Sequence, residues 1–140
     1  MKKTVLLIFV LFALAGLSFS SYYYYEPPIP LEDYTVWVSW DDTYCNCGTI
    51  DEILLDIELW DVSANQKIDW SYDVDITNES QPYEHTGSAS IIWNCQDCYE
   101  VRISIEYHDS EGLCCDGANT KSCDGEELIG DGVPISADLD

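Results

Sequence analysis

From Ile68 to Ile76 the chain alternates without a break. Ile68, Trp70, Tyr72, Val74 and Ile76 fall on one parity, and Asp69, Ser71, Asp73 and Asp75 on the other. Successive side chains of a strand point to opposite faces, so this spacing predicts a strand with one apolar face and one wet face. Three carboxylates on one face cannot be buried unpaired, which assigns that face to solvent. The same parity recurs along the chain. Val36, Val38 and Trp40 alternate with Thr35, Trp37 and Ser39; Ile53, Leu55, Ile57 and Leu59 form a second row. Further rows run through Ala89, Ile91 and Trp93, through Tyr99, Val101, Ile103, Ile105 and Tyr107, and through Val133, Ile135, Ala137 and Leu139. Pro134 restricts the last row to a sheet edge or a strand end. No segment keeps a helical period. Turn-forming stretches separate the rows at Asp61–Gln66, Asn78–Gly87, Asn94–Cys98 and Asp109–Gly132. Six short strands at this spacing predict an all-β fold, a single antiparallel β-sandwich. Its core is expected from Trp40, Leu55, Trp70, Val74, Ile91, Val101 and Ile103.

What precedes these strands has a different character. Lys2 and Lys3 lead into an apolar run from Val5 to Leu17, followed by the small residues Ser18 and Ser20. Residues 1–20 are therefore expected to be an export signal cleaved before Ser21, which places the protein outside the cell or at its surface. The apolar run is short and wrongly flanked for a membrane span, so no membrane insertion is expected. The remaining chain of about 120 residues fits one domain. Residues 21–33 then form an extended Tyr/Pro-rich arm, and residues 34–140 the sandwich, with a cysteine-rich acidic loop over 109–132. All 27 acidic residues follow the signal, but only Lys67, Arg102 and Lys121 of the five basic residues do. A chain this acidic is not expected to bind nucleic acid or an anionic surface.

The run Cys98-Tyr99-Glu100-Val101-Arg102-Ile103-Ser104-Ile105, after Ala89-Ser90-Ile91-Ile92-Trp93, resembles the E and F strands of immunoglobulin-like and fibronectin type III-like domains. The resemblance implies an immunoglobulin-like sandwich, with adhesion or assembly more often than catalysis. It implies no site.

Seven cysteines behind an export signal suggest a disulfide framework, and an odd number leaves one thiol free or paired with another chain. They cluster as Cys45/Cys47, Cys95/Cys98, Cys114/Cys115 and Cys123. Close neighbours rarely reach bonding geometry, so each cluster is expected to join a different one. The preferred pairing ties Cys45 or Cys47 to Cys95 or Cys98, and Cys114 or Cys115 to Cys123. The same spacings suit a tetrathiolate zinc site, with bonds of ~2.3 Å, or a redox dithiol at Cys95-Gln96-Asp97-Cys98. The export signal argues against zinc, and the strand expected after Cys98 argues against the dithiol.

Catalytic signatures are absent. His85 and His108 are the only histidines, neither has a nucleophile at motif spacing, and no nucleophile elbow, HExxH pair or phosphate-cradling loop occurs. A non-enzyme with no cofactor is expected. Calcium would find its ligands among Asp69, Asp73, Asp75, Asp116, Asp124 and Glu127, although the 116–127 window lacks the sixth-position glycine of an EF-hand. Solvated carboxylates are the ordinary reading of these residues. Asn78-Glu79-Ser80 is a formal N-glycosylation sequon in a loop.

The arm carries the functional expectation. Tyr22, Tyr23, Tyr24 and Tyr25 place four rings in a row, and Pro27, Pro28 and Pro30 around Ile29 and Leu31 keep the backbone extended. An extended apolar segment adds naturally to a neighbour's sheet. The expected partner is another copy of the chain, and the expected function is that of a secreted structural subunit. It would self-assemble into a fibre or surface layer by exchanging a terminal segment. Six strands leave room for a donated seventh, and the odd cysteine would lock neighbouring copies. The alternative is a monomeric secreted binding module that recognises protein or carbohydrate through aromatics such as Trp37 or Trp60.

Overall fold

The computed structural model describes residues 28–140. Seven strands follow one another: β1 (Leu31–Asp41), β2 (Ile50–Asp61), β3 (Gln66–Asp75), β4 (Tyr83–Ser90), β5 (Tyr99–Asp109), β6 (Gly112–Cys123) and β7 (Val133–Asp138). A short helix, α1 (Gly125–Ile129), joins β6 to β7. The strands form two sheets of order β4-β1-β7 and β3-β2-β5-β6. Their inner faces meet in one core, giving an all-β sandwich. Among the described residues no helix is long and apolar enough to cross a membrane.

The alternating rows set the core. Val36 and Val38 of β1, Leu55, Ile57 and Leu59 of β2, and Val101, Ile103 and Ile105 of β5 all lie buried between the sheets. Val133, Ile135 and Ala137 of β7 join them, and Leu128 of α1 and Leu139 are fully buried as well. Trp40 crosses the core, its Nε1 donating to Tyr107 Oη at 2.6 Å, and Tyr107 in turn donates to Asp42 Oδ2 at 3.1 Å. The indole and phenol are thereby satisfied where an unpaired polar group would be costly.

Two hairpins use local turn chemistry. Asp61 Oδ1 accepts from the Ala64 N–H at 2.9 Å and Ser63 Oγ at 2.6 Å in the β2–β3 turn. In the β5–β6 turn Asp109 Oδ1 accepts the Glu111 N–H at 2.8 Å, and Gly112 takes φ +115, a conformation glycine supplies without strain.

Four sequence expectations need correction. Among the described residues the strands number seven, because Gly112–Cys123, expected within a loop, pairs antiparallel with β5 along its whole length. Its inward positions are small (Cys115, Gly117, Cys123), so no apolar row announced it. The sandwich is also not wholly antiparallel, since β7 runs parallel to β1 from Val36↔Val133 to Asp41↔Asp138. The strand expected around Ala89–Trp93 ends at Ser90, and Ile91 is buried just beyond it. Finally, Trp70 is not in the core: it is 54% exposed and Tyr72 is 45% exposed.

The cause of that last reversal is a pair of register shifts in β2–β3, between Leu59 and Trp60 and between Leu55 and Ile57. Each bulge inserts a residue and inverts the parity beyond it. Asp69 and Ser71 therefore sit opposite the inward Leu59 and Ile57, whereas Trp70 sits opposite the outward Glu58. Asp73, at φ +54, absorbs the second bulge and bonds its N–H to Asp56 Oδ1 at 2.8 Å, after which Val74 pairs with the inward Leu55. Val74 is only partly buried against the core.

The two sides of the sandwich differ. On the β6–β7 side, Asp116 and Asp140 exchange backbone hydrogen bonds (3.4 and 3.2 Å), Asn119 Nδ2 donates to the Ser136 carbonyl, and Lys121 Nζ to that of Pro134 at 2.9 Å. This side is sealed. On the β3–β4 side the sheets are tied by Tyr34 Oη, which donates to Asp69 Oδ2 at 2.9 Å. Strands β3 and β4 both end their sheets there.

Candidate functional site

The open side gathers the exposed apolar residues nearest the arm. Leu31 pairs with Ser90 as the first residue of β1, so residues 31–33 of the expected arm belong to the domain's own sheet. Leu31 is 70% exposed and Ile29 is 48% exposed. With Ile68, Trp70, Lys67 and Ala89 they line a groove between the ends of the two sheets. Pro28 and Pro30 are exposed beside it. Tyr22, Tyr23, Tyr24, Tyr25 and Pro27 lie outside the described residues, as does the expected export signal.

Next to this groove the outer face of β3-β2-β5 carries an aromatic and charged cluster. Glu58 Oε1 accepts from Lys67 Nζ at 3.0 Å and from Tyr72 Oη, and its Oε2 accepts from Trp60 Nε1 at 2.6 Å. Lys67 Nζ lies 5.3 Å from the centre of the Trp70 ring and 5.0 Å from that of Tyr72, and the Arg102 guanidinium lies 4.2 Å over Trp60. Such contacts attract a cation to the ring quadrupole. Sequence reasoning named Trp60 but missed Lys67, Trp70, Tyr72 and Arg102. The signal was available: Lys67 and Arg102 are two of the three cations after the signal, and both lie here. Trp37 sits on the other sheet, its Nε1 donating to the Asp131 carbonyl at 3.0 Å.

The hydrogen bond from Tyr72, reinforced by Trp60 and Lys67, holds the Glu58 carboxyl at a pKa of about 2, below its ordinary 4.5. A carboxyl whose folded pKa is depressed contributes stability above its unfolded pKa and loses it as pH falls toward the folded value. The wild type is therefore expected to lose stability relative to Glu58→Gln between pH 4.5 and pH 2, and to match it below. The effect is small because the cluster is solvent-screened. Urea midpoints of both proteins across that range check it; parallel curves would refute it.

The cysteines pair Cys45–Cys115 and Cys47–Cys114, with Cα separations of 5.9 and 5.7 Å. Two adjacent bridges thus fasten the β1–β2 loop to the start of β6. Consecutive strand residues normally point apart, but the β5–β6 register shifts between Tyr107↔Cys115 and His108↔Leu113. Cys114 is the extra residue, which lets both sulfurs reach the same loop. Cys95 bonds to Cys98 within its own cluster, contrary to expectation. The turn Ile92–Cys98, closed by Cys95 N–H to the Ile92 carbonyl and by Asp97 at φ +51, brings the two Cα atoms to 5.7 Å. Cys123 is free and only 2% exposed, so it neither joins Cys114 or Cys115 nor reaches a neighbouring copy. Burial, with Glu127 nearby, pushes its thiol up to about 12. A thiol held protonated is a poor nucleophile. Cys123 is expected to stay unmodified by iodoacetamide at pH 8 in the folded protein and to react once it is unfolded. Mass-mapped labelling checks this, and full labelling without denaturant would refute it.

The acidic residues do not converge. Asp69 accepts from Tyr34, Asp75 accepts Thr77 N–H and Oγ1, Asp124 accepts the Asp97 N–H, and Glu127 faces Lys121. Asp73 lies in the bulge, and Asp116 is tied by its backbone to Asp140. Among the described residues the group with metal-ligand spacing is Cys45, Cys47 and Cys115, and no carboxylate set shares it. The histidines are apart: His85 is buried on β4, where burial lowers its pKa, and His108 lies 3.0 Å from Glu106 on β5. Asn78 is exposed in the turn after β3.

The chain matches no family model, no curated protein and no solved structure.

Proposed function

We propose that this protein is an exported structural subunit that assembles by lending its Tyr/Pro-rich segment, residues 21–28, to the open side of a second copy. The carrying observation is the contrast between the two sides: one is sealed by the Asp116–Asp140 exchange, the other is open and rimmed by Ile29, Leu31, Ile68 and Trp70. A sheet edge offers unpaired backbone groups, and an extended partner strand satisfies them. The incoming segment adds to the edge of a domain that already has seven strands of its own. Because donor and acceptor surfaces differ, the contact is head-to-tail and propagates unless a ring closes. Covalent locking by the free cysteine drops out, since Cys123 is buried.

The test compares light scattering of the oxidised chain from Ser21 with that of a chain beginning at Ile29, which leaves β1 intact. The longer chain is expected to form large species and the shorter one monomers, and Trp70→Ser in the longer chain is expected to reduce assembly. Monomers throughout, or large species from both lengths, would overturn the reading.

One observation favours a second reading. The β3 bulges turn Trp70 and Tyr72 to solvent beside Lys67, as a ligand platform would require. If every form is monomeric, a binding module using this face becomes the better account, and immobilised polysaccharides and basic proteins become the probes.

A further inference from the structure

We propose that Cys45, Cys47, Cys114 and Cys115, once reduced, form a tetrahedral thiolate site for a zinc-class divalent ion. The fold would then use the same four sulfurs as two bridges when oxidised and as one metal centre when reduced. Three observations carry this. First, the β6 bulge delivers two consecutive cysteines to one loop, so all four sulfurs meet at one end of the sandwich. Second, three of the four sulfurs, those of Cys45, Cys47 and Cys115, already stand near metal spacing, and Cys114 is bonded to one of them. Cys47 Sγ lies 3.7 Å from Cys115 Sγ. Four sulfurs at ~2.3 Å from a central zinc stand ~3.8 Å apart along each edge of the tetrahedron. Cys45, Cys47 and Cys115 each offer a sulfur within 4.8 Å of the others. Reduction frees the two bridged pairs to separate toward the tetrahedral edge length, and of the four remaining edges the Cys47–Cys115 one is already close to it.

Third, carboxylates border the loop that carries Cys45 and Cys47. The Cys45 N–H bonds to the Asp42 carbonyl, the Asp42 carboxylate accepts from Tyr107, and Asp109 lies against Gly48 of the same loop. Cys45, Cys47 and Cys114 are partly exposed, which leaves a path for the ion, while Cys115 is buried and anchors the site. Soft thiolates select zinc-class ions over calcium.

The chemistry balances with a two-electron reductant for each bridge. A dithiol gives two electrons and two protons to one disulfide and becomes a disulfide itself. A phosphine, with one water, does the same and becomes its oxide. Four thiols result, and the ion displaces their four protons to form four metal–sulfur bonds.

The experiment reduces the full chain with a phosphine under argon and adds cobalt(II), then cadmium(II). One ion per chain is expected, with the intense visible bands of tetrahedral cobalt thiolate, in the wild type and in Cys95→Ser/Cys98→Ser/Cys123→Ser. The same bands should vanish in Cys45→Ser/Cys47→Ser. Independently, cadmium is expected to slow alkylation of Cys45, Cys47, Cys114 and Cys115 by about tenfold or more, leaving Cys95 and Cys98 unchanged, as mass mapping of the wild type would read. This second measurement decides the matter if a serine variant fails to fold. Octahedral or absent cobalt bands, equal binding by Cys45→Ser/Cys47→Ser, or protection spread over all seven cysteines would overturn the proposal.

Discussion

Removing both Cys45–Cys115 and Cys47–Cys114 is expected to cost about 4–6 kcal/mol, whereas removing either one alone costs under about 2. The bridges span sequence separations of 70 and 67 residues. Closing a loop of that length removes about 4 kcal/mol of chain entropy from the unfolded state. The two bridges, however, join the same two places. Once the first has formed, the second closes only the few residues between them, and a short loop restrains little. Either bridge can therefore stand in for the other, and only their joint loss releases the long loop. A domain of this size has about 5–15 kcal/mol in total, so the four-cysteine variant should sit near its folding threshold. Guanidinium unfolding of the Cys47→Ser/Cys114→Ser, Cys45→Ser/Cys115→Ala and combined variants measures this directly. The two pairwise losses should sum to much less than the combined loss. Two pairwise losses of about 4 kcal/mol each would show that the bridges act independently and that the account is wrong.

Gly117→Ala is expected to be the most damaging single substitution on the sealed side, at about 3 kcal/mol. Gly117 faces inward on β6, where a methyl group would strike the Asp138 carbonyl and crowd the Cα of Leu139. Backbone cannot step aside as a flexible side chain can. The strand pair would have to separate, breaking the Asp116–Asp140 exchange and loosening Leu139, whose N–H bonds to the Asp41 carbonyl at 2.9 Å. Ala118→Ser, one residue along and exposed, is the control and should leave stability within about 0.5 kcal/mol. Hydrogen exchange distinguishes this mechanism from general destabilisation: the Leu139 and Asp140 amides should lose protection first. Unchanged protection there, whatever the overall stability, would refute it.

The sequence was legible where apolar residues kept an unbroken parity. Val36, Val38 and Trp40, the row from Ile53 to Leu59, and the row from Val101 to Ile105 all face the core as their spacing predicts. Pro134 likewise lies in an edge strand. The most regular stretch of all, Ile68 to Ile76, misled in its middle. Its alternation is regular in sequence, but pairing to β2 skips twice, and parity follows pairing. Strand β6 hid for the opposite reason. Gly117 meets the Asp138 backbone, so it must be small, and Cys115 is taken up by a bridge, so neither carries a hydrophobic signal. The parallel course of β7 has no local signature, because alternation records faces and not direction. Cysteine pairing was legible only as a rule: clusters 45/47 and 114/115 each bond to a different cluster, but to each other and not to 95/98 and 123 as expected, and a tight turn made Cys95–Cys98 reachable. The candidate site suffered most. Trp60 was read as outward, but Trp70 and Tyr72 were read on the apolar face because their outward direction depends on the bulges.

The parallel pairing of β1 with β7 also sets when the domain can fold. As the ribosome lengthens the chain, β1 emerges early and has β4 as its first sheet partner. Its other edge stays unsatisfied for about a hundred residues, until Val133–Asp138 arrives. Leu139, fully buried, fills the core only then. Every earlier intermediate lacks a strand, a core side chain and the sealed side at once. The growing chain therefore cannot complete the β4-β1-β7 sheet or seal the β6–β7 side until residues 133–140 are available.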